Sequence, residues 1–398
     1  MSGSGVRIPI TVPFVGEQEA LAAAEVVRSG WLTQGPKVAE FERAFAEYCG
    51  TEHAVAVSNC TTALHLALIV LGIGPGDEVI CPSMSYIATA NSIVHAGAVP
   101  VFADVDPRTF NLDPEAAEAA ITPRTKAIMP VHQIGMPADI DRFLALGEKY
   151  GVKIYEDCAC AIGSRYKGRP IGGHTELACF SLHPRKIITT GDGGVITTNN
   201  SGYAARLKTL RQHAMSISDT ARHGAAKVII ETYDEVGYNY RLTDVQAAIG
   251  IEQVKRLDWI VQRRRELAHA YNTALASHPW LKTPYEPEWA CSNYQSYAIT
   301  LTENAPCSRN ELMQHLLERG IATRRGIMLA HFEQPFRDAR GVRNLPMSEH
   351  ASGASVLLPL FPAMTDDEHQ HVVRALFAPE LLSQPVGWQS ADQVIASR

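Results

Sequence analysis

The sequence predicts an α/β protein with a mostly parallel β-sheet covered by helices on both faces, followed by a smaller C-terminal α+β region. Short apolar segments alternate with helix-like segments from residue 54 to residue 156, which is typical of βαβ units. After about residue 240 this alternation ends and a long helical segment follows. The length of 398 residues, 46% of them hydrophobic, favours two domains, which we place at residues 1–260, including an N-terminal arm, and 261–398.

Local signals place the individual elements. Two N-terminal helices, 17–29 and 36–48, are each followed by glycine. Strands are then expected at 54–58, 78–81, 100–103, 125–131 and 152–156, separated by helices at 61–71, 86–96, 113–120 and 140–150. A capping box at Thr243 and Gln246 opens a helix predicted to run to residue 275, and a strand at 297–301 and helices at 308–318 and after Thr365 follow. The polar tail from about residue 383 is expected to be flexible.

Charge and hydropathy limit the classes of partner. The net charge is −6, the pI is about 6.2, and there is no long basic run, so we expect neither nucleic acid nor an anionic membrane surface as a partner. The N-terminus lacks an apolar stretch of signal-peptide length, and no apolar run approaches the roughly 18 residues of a membrane span. We therefore expect a cytoplasmic protein that acts on small molecules.

The eight cysteines are scattered through apolar surroundings, which favours buried, reduced thiols over a disulfide framework. The one close pair, Cys158 and Cys160, has the spacing of neither a CxxC redox motif nor a zinc knuckle. No metal site is therefore expected.

A lysine and an upstream carboxylate carry the strongest functional signal. Asp157 ends an apolar strand, where open α/β sheets bind ligands, and Lys186 lies in a loop that ends in a glycine cluster, Gly191–Gly194. Pyridoxal 5'-phosphate (PLP) requires a lysine that holds its aldehyde as a Schiff base and an acid that keeps its pyridine nitrogen protonated. Arg185 and partial burial are expected to favour the neutral, nucleophilic amine of Lys186. Glu156 is expected to point to the opposite face of the strand.

Two further segments fit a cofactor site. Residues 58–62 join a strand to a helix N-terminus, where backbone N–H groups and hydroxyls can bind a phosphate, although a capped helix without a ligand is the commoner explanation of such a turn. Tyr86 can stack on the cofactor ring, and a buried core tyrosine is the equal alternative. The glycines at 72, 74 and 76 precede a strand and so predict a turn, not a dinucleotide loop.

Together these segments resemble the DegT/DnrJ/EryC1/StrS family of PLP-dependent sugar aminotransferases, from about residue 16 to residue 376. The matching segments include 30–36, 58–68, 74–79, 88–91, 121–126, 130–132, 156–157, 181–194 and 237–244. The resemblance implies the fold type I of the aspartate aminotransferase superfamily, with a seven-stranded sheet in the large domain.

The resemblance also implies residue roles. Lys186 corresponds to the Schiff-base lysine, Asp157 to the partner of the pyridine nitrogen, and Tyr86 to the stacking aromatic residue. Thr61 and Ser181 correspond to phosphate ligands. Asn239 corresponds to an asparagine that reaches the phosphate from the neighbouring subunit, which implies a homodimer with shared active sites.

The chain departs from the family pattern near the cofactor and the substrate. Cys160 stands where a glutamine usually bonds the phenolic oxygen of the cofactor, and Cys60 stands where glycine is usual in the phosphate loop. Residues 130–135 also differ from the usual sequence. A basic segment at 323–331 contains Arg324 and Arg325. These two arginines and His183 are candidate substrate residues. For the arginines, a position on the solvated surface without a ligand is the equal alternative.

The predicted function is that of an aminotransferase cycling between PLP and pyridoxamine phosphate (PMP). The resemblance implies glutamate or glutamine as the donor and a keto-sugar as the acceptor in a ping-pong reaction. Arg324 and Arg325 favour a nucleotide-linked keto-sugar, and a cyclitol or another keto acceptor is the alternative. One rival is a sugar dehydratase, which has histidine in place of the lysine and is disfavoured by Lys186. Another is a PLP-binding regulator without turnover, which a single donor half-reaction distinguishes.

Overall fold

A seven-stranded sheet forms the centre of the protein. The computed structural model describes residues 7–217, 222, 226–337 and 344–378. The strands of the sheet are β1 (His53–Val57), β2 (Glu78–Pro82), β3 (Val99–Ala103), β4 (Thr125–Ile128), β5 (Lys153–Asp157), β8 (Leu177–Ser181) and β9 (Gly194–Thr198). Their order is β1-β9-β8-β5-β4-β2-β3, and β9 runs antiparallel to both of its neighbours while the other pairs are parallel. The mostly parallel seven-stranded sheet is thus confirmed.

Helices cover this sheet as the alternation predicts. They are α1 (Glu17–Ser29), α2 (Pro36–Cys49), α3 (Cys60–Val70), α4 (Ala88–His95), α5 (Pro114–Ala119), α6 (Ile140–Tyr150) and α7 (Ser201–Leu210). Strand β4 is shorter than predicted and ends at Ile128, although Met129 still donates to the Ile80 carbonyl (2.8 Å) and Val131 forms an isolated bridge with Asp157. The predicted glycine turn before β2 is present: Gly72 and Gly76 have φ of 76° and 91°.

The single helix predicted for residues 243–275 is wrong. Two helices, α8 (Asp244–Lys255) and α9 (Leu257–Leu275), meet at Arg256, whose φ of −103° and ψ of 1° lie outside the helical region. The break lets α8 pack on α1 and α2 while α9 crosses to a second core. The predicted capping box at Thr243 and Gln246 is present.

A second, four-stranded sheet lies in the C-terminal part, with strands β10 (Leu281–Lys282), β12 (Tyr297–Leu301), β14 (Ser355–Leu358) and β13 (Arg324–Arg325) in that order. Helices α10 (Arg309–Glu318), α11 (Pro346–Ala354) and α12 (Asp366–Leu376) accompany it. A small third sheet contains β6 (Arg165–Tyr166), β7 (Arg169–Pro170) and β11 (Ala290–Cys291).

The proposed domain boundary falls inside α9. Its first turns, with Leu257 and Ile260, belong to the core beneath α2, whereas Leu267 and Tyr271 belong to the core of the second sheet. Ile8 of the N-terminal arm also joins this second core and pairs with Ile321. The division into domains remains a prediction.

Asp244 ties the N-terminal helices to α8. Its Oδ1 accepts hydrogen bonds from the backbone N–H groups of Gly35 (2.8 Å) and Val38 (2.9 Å), and its Oδ2 accepts one from Lys37 (3.1 Å). A carboxylate more than 200 residues away in sequence therefore supplies the N-terminal cap that glycine at position 35 cannot provide.

The tail predicted from residue 383 lies outside the described residues. Among the helices that are described, none combines the length and the apolarity required to cross a membrane.

Candidate active site

All predicted site residues except Asn239 meet in a cleft of about 1020 Å³ at the carboxyl end of β5. It lies between the large sheet and the edge of the four-stranded sheet formed by β13. The cleft is lined by Cys60, Thr61, Tyr86, Asp157, Cys160, Ser181, His183, Lys186, Arg324 and Arg325. The structure therefore brings together residues that span most of the chain, as expected for the switch region of a parallel sheet.

Asp157 is held by two hydrogen bonds. Its side chain accepts from Thr89 Oγ1 through Oδ2 (2.8 Å) and from the backbone N–H of Ala159 through Oδ1 (3.1 Å), and the residue is 4% exposed. Thr89 is in turn 2.7 Å from the Ser85 hydroxyl. A carboxylate offers about four acceptor positions, so Asp157 retains capacity for a further donor from the cleft.

Lys186 enters the cleft from the loop between β8 and β9. Its backbone N–H donates to the His183 carbonyl (2.8 Å), and its Nζ donates to Cys160 Sγ at 3.1 Å. Burial lowers the pKa of Lys186, but Cys160 and Asp157 oppose this effect, and the net pKa lies above its usual value. The expectation that the protein itself favours the neutral amine is therefore wrong, because these sulfur and carboxylate groups outweigh burial.

The start of α3 forms one end of the cleft. Asn59 caps the helix through a reciprocal capping box with Thr62 (2.9 Å to the Thr62 N–H), and Thr61 lines the cleft beside it. Cys60 occupies the first helical position, with its Sγ 3.7 Å from the Cys179 carbonyl. Ser181, at the end of β8, lines the same end of the cleft.

Gly194 permits the close approach of β9 to the start of α3. A Cβ at this position would lie 2.4 Å from the Asn59 carbonyl oxygen and 2.8 Å from the Cys60 nitrogen. Strand β9 can therefore run against the helix start only because residue 194 has no side chain.

Tyr86 and His183 lie on the rim. Tyr86 is 64% exposed, so the alternative of a buried core tyrosine is wrong, and its stacking role remains a prediction. His183 Nδ1 accepts the backbone N–H of Arg185 (3.2 Å), while burial and the charge of Arg185 lower the pKa of His183. His183 is therefore a neutral hydrogen-bonding group at neutral pH.

The two arginines lie on an edge strand instead of in a loop. Arg324 and Arg325 are exposed and pair with β14 through their backbones. Arg325 reaches Glu333 at 4.0 Å, whereas burial and then the charge of Arg185 lower the pKa of Arg324. Arg324 and Arg325 thus give the cleft a cationic wall, and Arg324 lies close enough to Arg185 of the Lys186 loop to feel its charge.

Asn239 does not line the cleft of its own chain. It is exposed and pairs with Gln212 in an isolated bridge. The segment before it is unusually apolar at its surface: Val228 is 94% exposed, Ile230 84% and Val236 83%.

A buried cluster on the far side of β5 was not foreseen. His132, Glu156 and Cys158 place their ligand atoms within 4.8 Å of one another, a spacing that could hold a metal ion. However, His132 Nδ1 accepts a hydrogen bond from the N–H of Ala138 (2.9 Å), so the ring proton is on Nε2, which donates a hydrogen bond to Glu156 (2.7 Å). This N–H lies between the two side chains, where a metal ion would have to bind. Burial raises the pKa of Glu156, but the hydrogen bonds from His132 and Thr175 lower it overall. The prediction that Glu156 points away from the cleft is confirmed.

Sequence reasoning missed three side chains that support the site. Thr89 positions Asp157, Gln133 lines the cleft and donates to the Met84 carbonyl, and Gln295 lines it and donates to the Arg185 carbonyl (2.8 Å). Only Thr89 carried a signal, since it lies in the matching segment 88–91, but nothing local linked it to Asp157.

The chain is similar to a known family along most of its length. A sequence model of the DegT/DnrJ/EryC1/StrS aminotransferase family matches residues 13–377. The solved structure of the aminotransferase TlmJ from Streptoalloteichus hindustanus is 34% identical, with 93% of this chain and 97% of that chain covered and a TM-score of 0.85. DesV from S. venezuelae, in complex with a ketimine intermediate, is 33% identical, with 96% and 100% covered and a TM-score of 0.86.

A third similar structure bears on the cofactor. Spr1654 from Streptococcus pneumoniae, described as a sugar aminotransferase and solved in PLP and PMP forms, is 29% identical. Its PLP form covers 93% of this chain and 97% of its own, with a TM-score of 0.85.

Proposed function

Because the chain belongs to the DegT/DnrJ/EryC1/StrS aminotransferase family and is a PLP-dependent aminotransferase, we propose that it transfers an amino group from glutamate or glutamine to the keto group of a nucleotide-linked sugar. The observation that carries the proposal is the meeting of Lys186 and Asp157 in one cleft that Arg324 and Arg325 also line. PLP supplies an electron sink for the carbanion that forms when the donor loses its α-proton.

The residues present fit this cofactor. Lys186 would hold the aldehyde, and the free acceptor capacity of the buried Asp157 suits a protonated ring nitrogen. Thr61, Ser181 and the helix start at Cys60 suit a phosphate, and Tyr86 lies where it can cover the ring. The Lys186 amine would also be placed to act as the general acid and base that moves the α-proton of the donor.

The experiment for the cofactor site is borohydride reduction of the purified protein followed by peptide mapping. We expect the label on Lys186, and we expect Lys186→Ala to lose turnover. A label on any other lysine contradicts the assignment.

The cationic wall supports a charged acceptor. Arg324 and Arg325 present guanidinium groups that suit bidentate binding of phosphate oxygens, whereas an uncharged cyclitol offers them no anionic group to bind. His183, a neutral hydrogen-bonding group, suits a sugar hydroxyl.

We expect the double variant Arg324→Ala/Arg325→Ala to raise the acceptor KM at least about tenfold, a loss of ~1.4 kcal/mol of binding, with the donor half-reaction unchanged. Arg319→Ala, in the same half of the chain but outside the cleft, is the matched control. An equal loss in both half-reactions would assign the arginines to the donor carboxylate, and no loss would return them to the solvated surface.

We further propose a homodimer with shared sites. The exposed Asn239 and the apolar surface at Val228, Ile230 and Val236 fit contact with a second copy of the chain. Mixing the inactive variants Lys186→Ala and Asn239→Ala should restore activity, because one site of each heterodimer then has both residues. A fully active monomer contradicts this proposal.

A further inference from the structure

The side chains of Lys186 and Cys160 form a hydrogen bond that none of the cofactor roles described above uses. Cys160 Sγ is the hydrogen-bond partner found for Lys186 Nζ within the described residues, at 3.1 Å. The sulfur and the amine both line the cleft, so this contact lies where the cofactor aldehyde must arrive.

The backbone places Cys160 there independently of its thiol. The Asp157 carboxylate accepts the Ala159 N–H (3.1 Å) and shapes the turn after β5. On the other side, the fully buried Asn293 donates from Nδ2 to the carbonyls of Cys160 and Ile162, each at 2.8 Å. Because the turn is held from both sides, the direction of the Cys160 side chain is fixed, and its substitution should leave the turn in place.

The other nearby thiol is not equivalent. Cys60 Sγ lies 3.7 Å from the Cys179 carbonyl, to which it can donate, and burial raises the pKa of Cys60 well above its usual value. It is therefore a protonated thiol with a separate partner. Among the residues that the structure describes, Asp157 from β5 also acts on the amine, and the amine and Arg185 both act on His183 of the same loop.

We propose that Cys160 is a positioning residue for Lys186: its sulfur accepts a hydrogen bond from the amine and fixes where that amine meets the cofactor aldehyde. This inference rests on the proposed function of Lys186. Sulfur is a weak acceptor, but a bond from a charged donor is stronger than a neutral one. Loss of this acceptor destabilises the protonated amine, so the amine then deprotonates at lower pH.

The experiment follows PLP attachment to cofactor-free protein as a function of pH, by the absorbance of the bound cofactor. In Cys160→Ala we expect the midpoint of the rate profile to fall by at least about half a pH unit, because the ammonium has lost its acceptor. We expect Cys160→Ser, whose hydroxyl is an acceptor, to restore most of this midpoint. Cys291→Ala, a half-exposed cysteine outside the cleft, is the matched control and should leave the profile unchanged.

An unchanged midpoint in Cys160→Ala, or a serine variant that behaves as the alanine variant does, overturns the proposal. If the alanine variant does not fold, Cys160→Val carries the same expectation, since it fills the space without an acceptor. Failure of PLP to attach to Lys186 in the unaltered protein would instead refute the proposed cofactor site, so the two failures are distinguishable.

Discussion

Glu156 and Asp157 are neighbouring carboxylates on one strand, yet they face different surroundings. Glu156 is fully buried on the far side of β5, where His132 (2.7 Å) and Thr175 (2.7 Å) each donate to one of its oxygens. Asp157 is almost as buried, but Thr89 and Ala159 leave part of its acceptor capacity open toward the cleft. Under the proposed function, the two carboxylates differ in the direction of their unused acceptor positions and not in their burial.

The largest effect should come from Asp157→Asn. A neutral partner no longer holds the ring nitrogen protonated, so we expect turnover to fall by at least about a hundredfold. The fold should persist, because the amide can still accept one of the two existing hydrogen bonds. Single-turnover donor kinetics and urea unfolding of the same preparation measure the two properties. A variant that retains more than a few tenths of the original rate would contradict the proposed role of Asp157 as the partner of the ring nitrogen.

Glu156→Gln should affect stability instead. Replacing the charged acceptor weakens the bonds from His132 and Thr175, and we expect the free energy of unfolding to fall by about 1–3 kcal/mol at neutral pH. Turnover per folded molecule should stay within about twofold, since the residue lies outside the cleft.

The pH dependence of this loss has a defined sign. Because the folded protein lowers the pKa of Glu156, its stabilisation is present above the ordinary carboxyl pKa and is lost as pH falls through the folded value. The difference between the two proteins should therefore narrow below about pH 4. If Glu156→Gln lowers turnover by more than it lowers the folded fraction, then Glu156 also contributes to the reaction and the contrast with Asp157 is wrong.

The smallest effect should come from Thr89→Val, which preserves shape but removes the hydroxyl that bonds Asp157. We expect turnover to fall about threefold to tenfold, or ~0.7–1.4 kcal/mol, because one bond to the carboxylate remains. Ser92→Ala is the control, since this buried hydroxyl on the same helix donates to the Thr89 carbonyl and not to Asp157. Equal losses in both variants would indicate that α4 acts through packing.

The sequence predicted the alternating elements and the meeting of Lys186 with Asp157, because strand ends and glycine-bordered loops are local signals. It did not predict the break at Arg256, because the helical periodicity of the sequence continues through that residue. The break arises because α8 and α9 pack into different cores. The bond from Thr89 to Asp157 and the contact between Cys160 and Lys186 were also missed. Both depend on distances across the sheet, which periodicity cannot supply.

The long-range anchoring of the N-terminal helices determines when they can fold during synthesis. Strand β1 pairs only with β9 within its sheet, and α2 takes its N-terminal cap from Asp244. The ribosome therefore releases α2, with the apolar side chains of Phe41 and Phe45, roughly 200 residues before its partner α8 is complete, a delay on the order of 10–40 s at ~5–20 residues per second. Until α8 is complete, the core around Phe41 and Phe45 lacks Ala247 and Ile251, so these side chains lack part of their native packing during that interval.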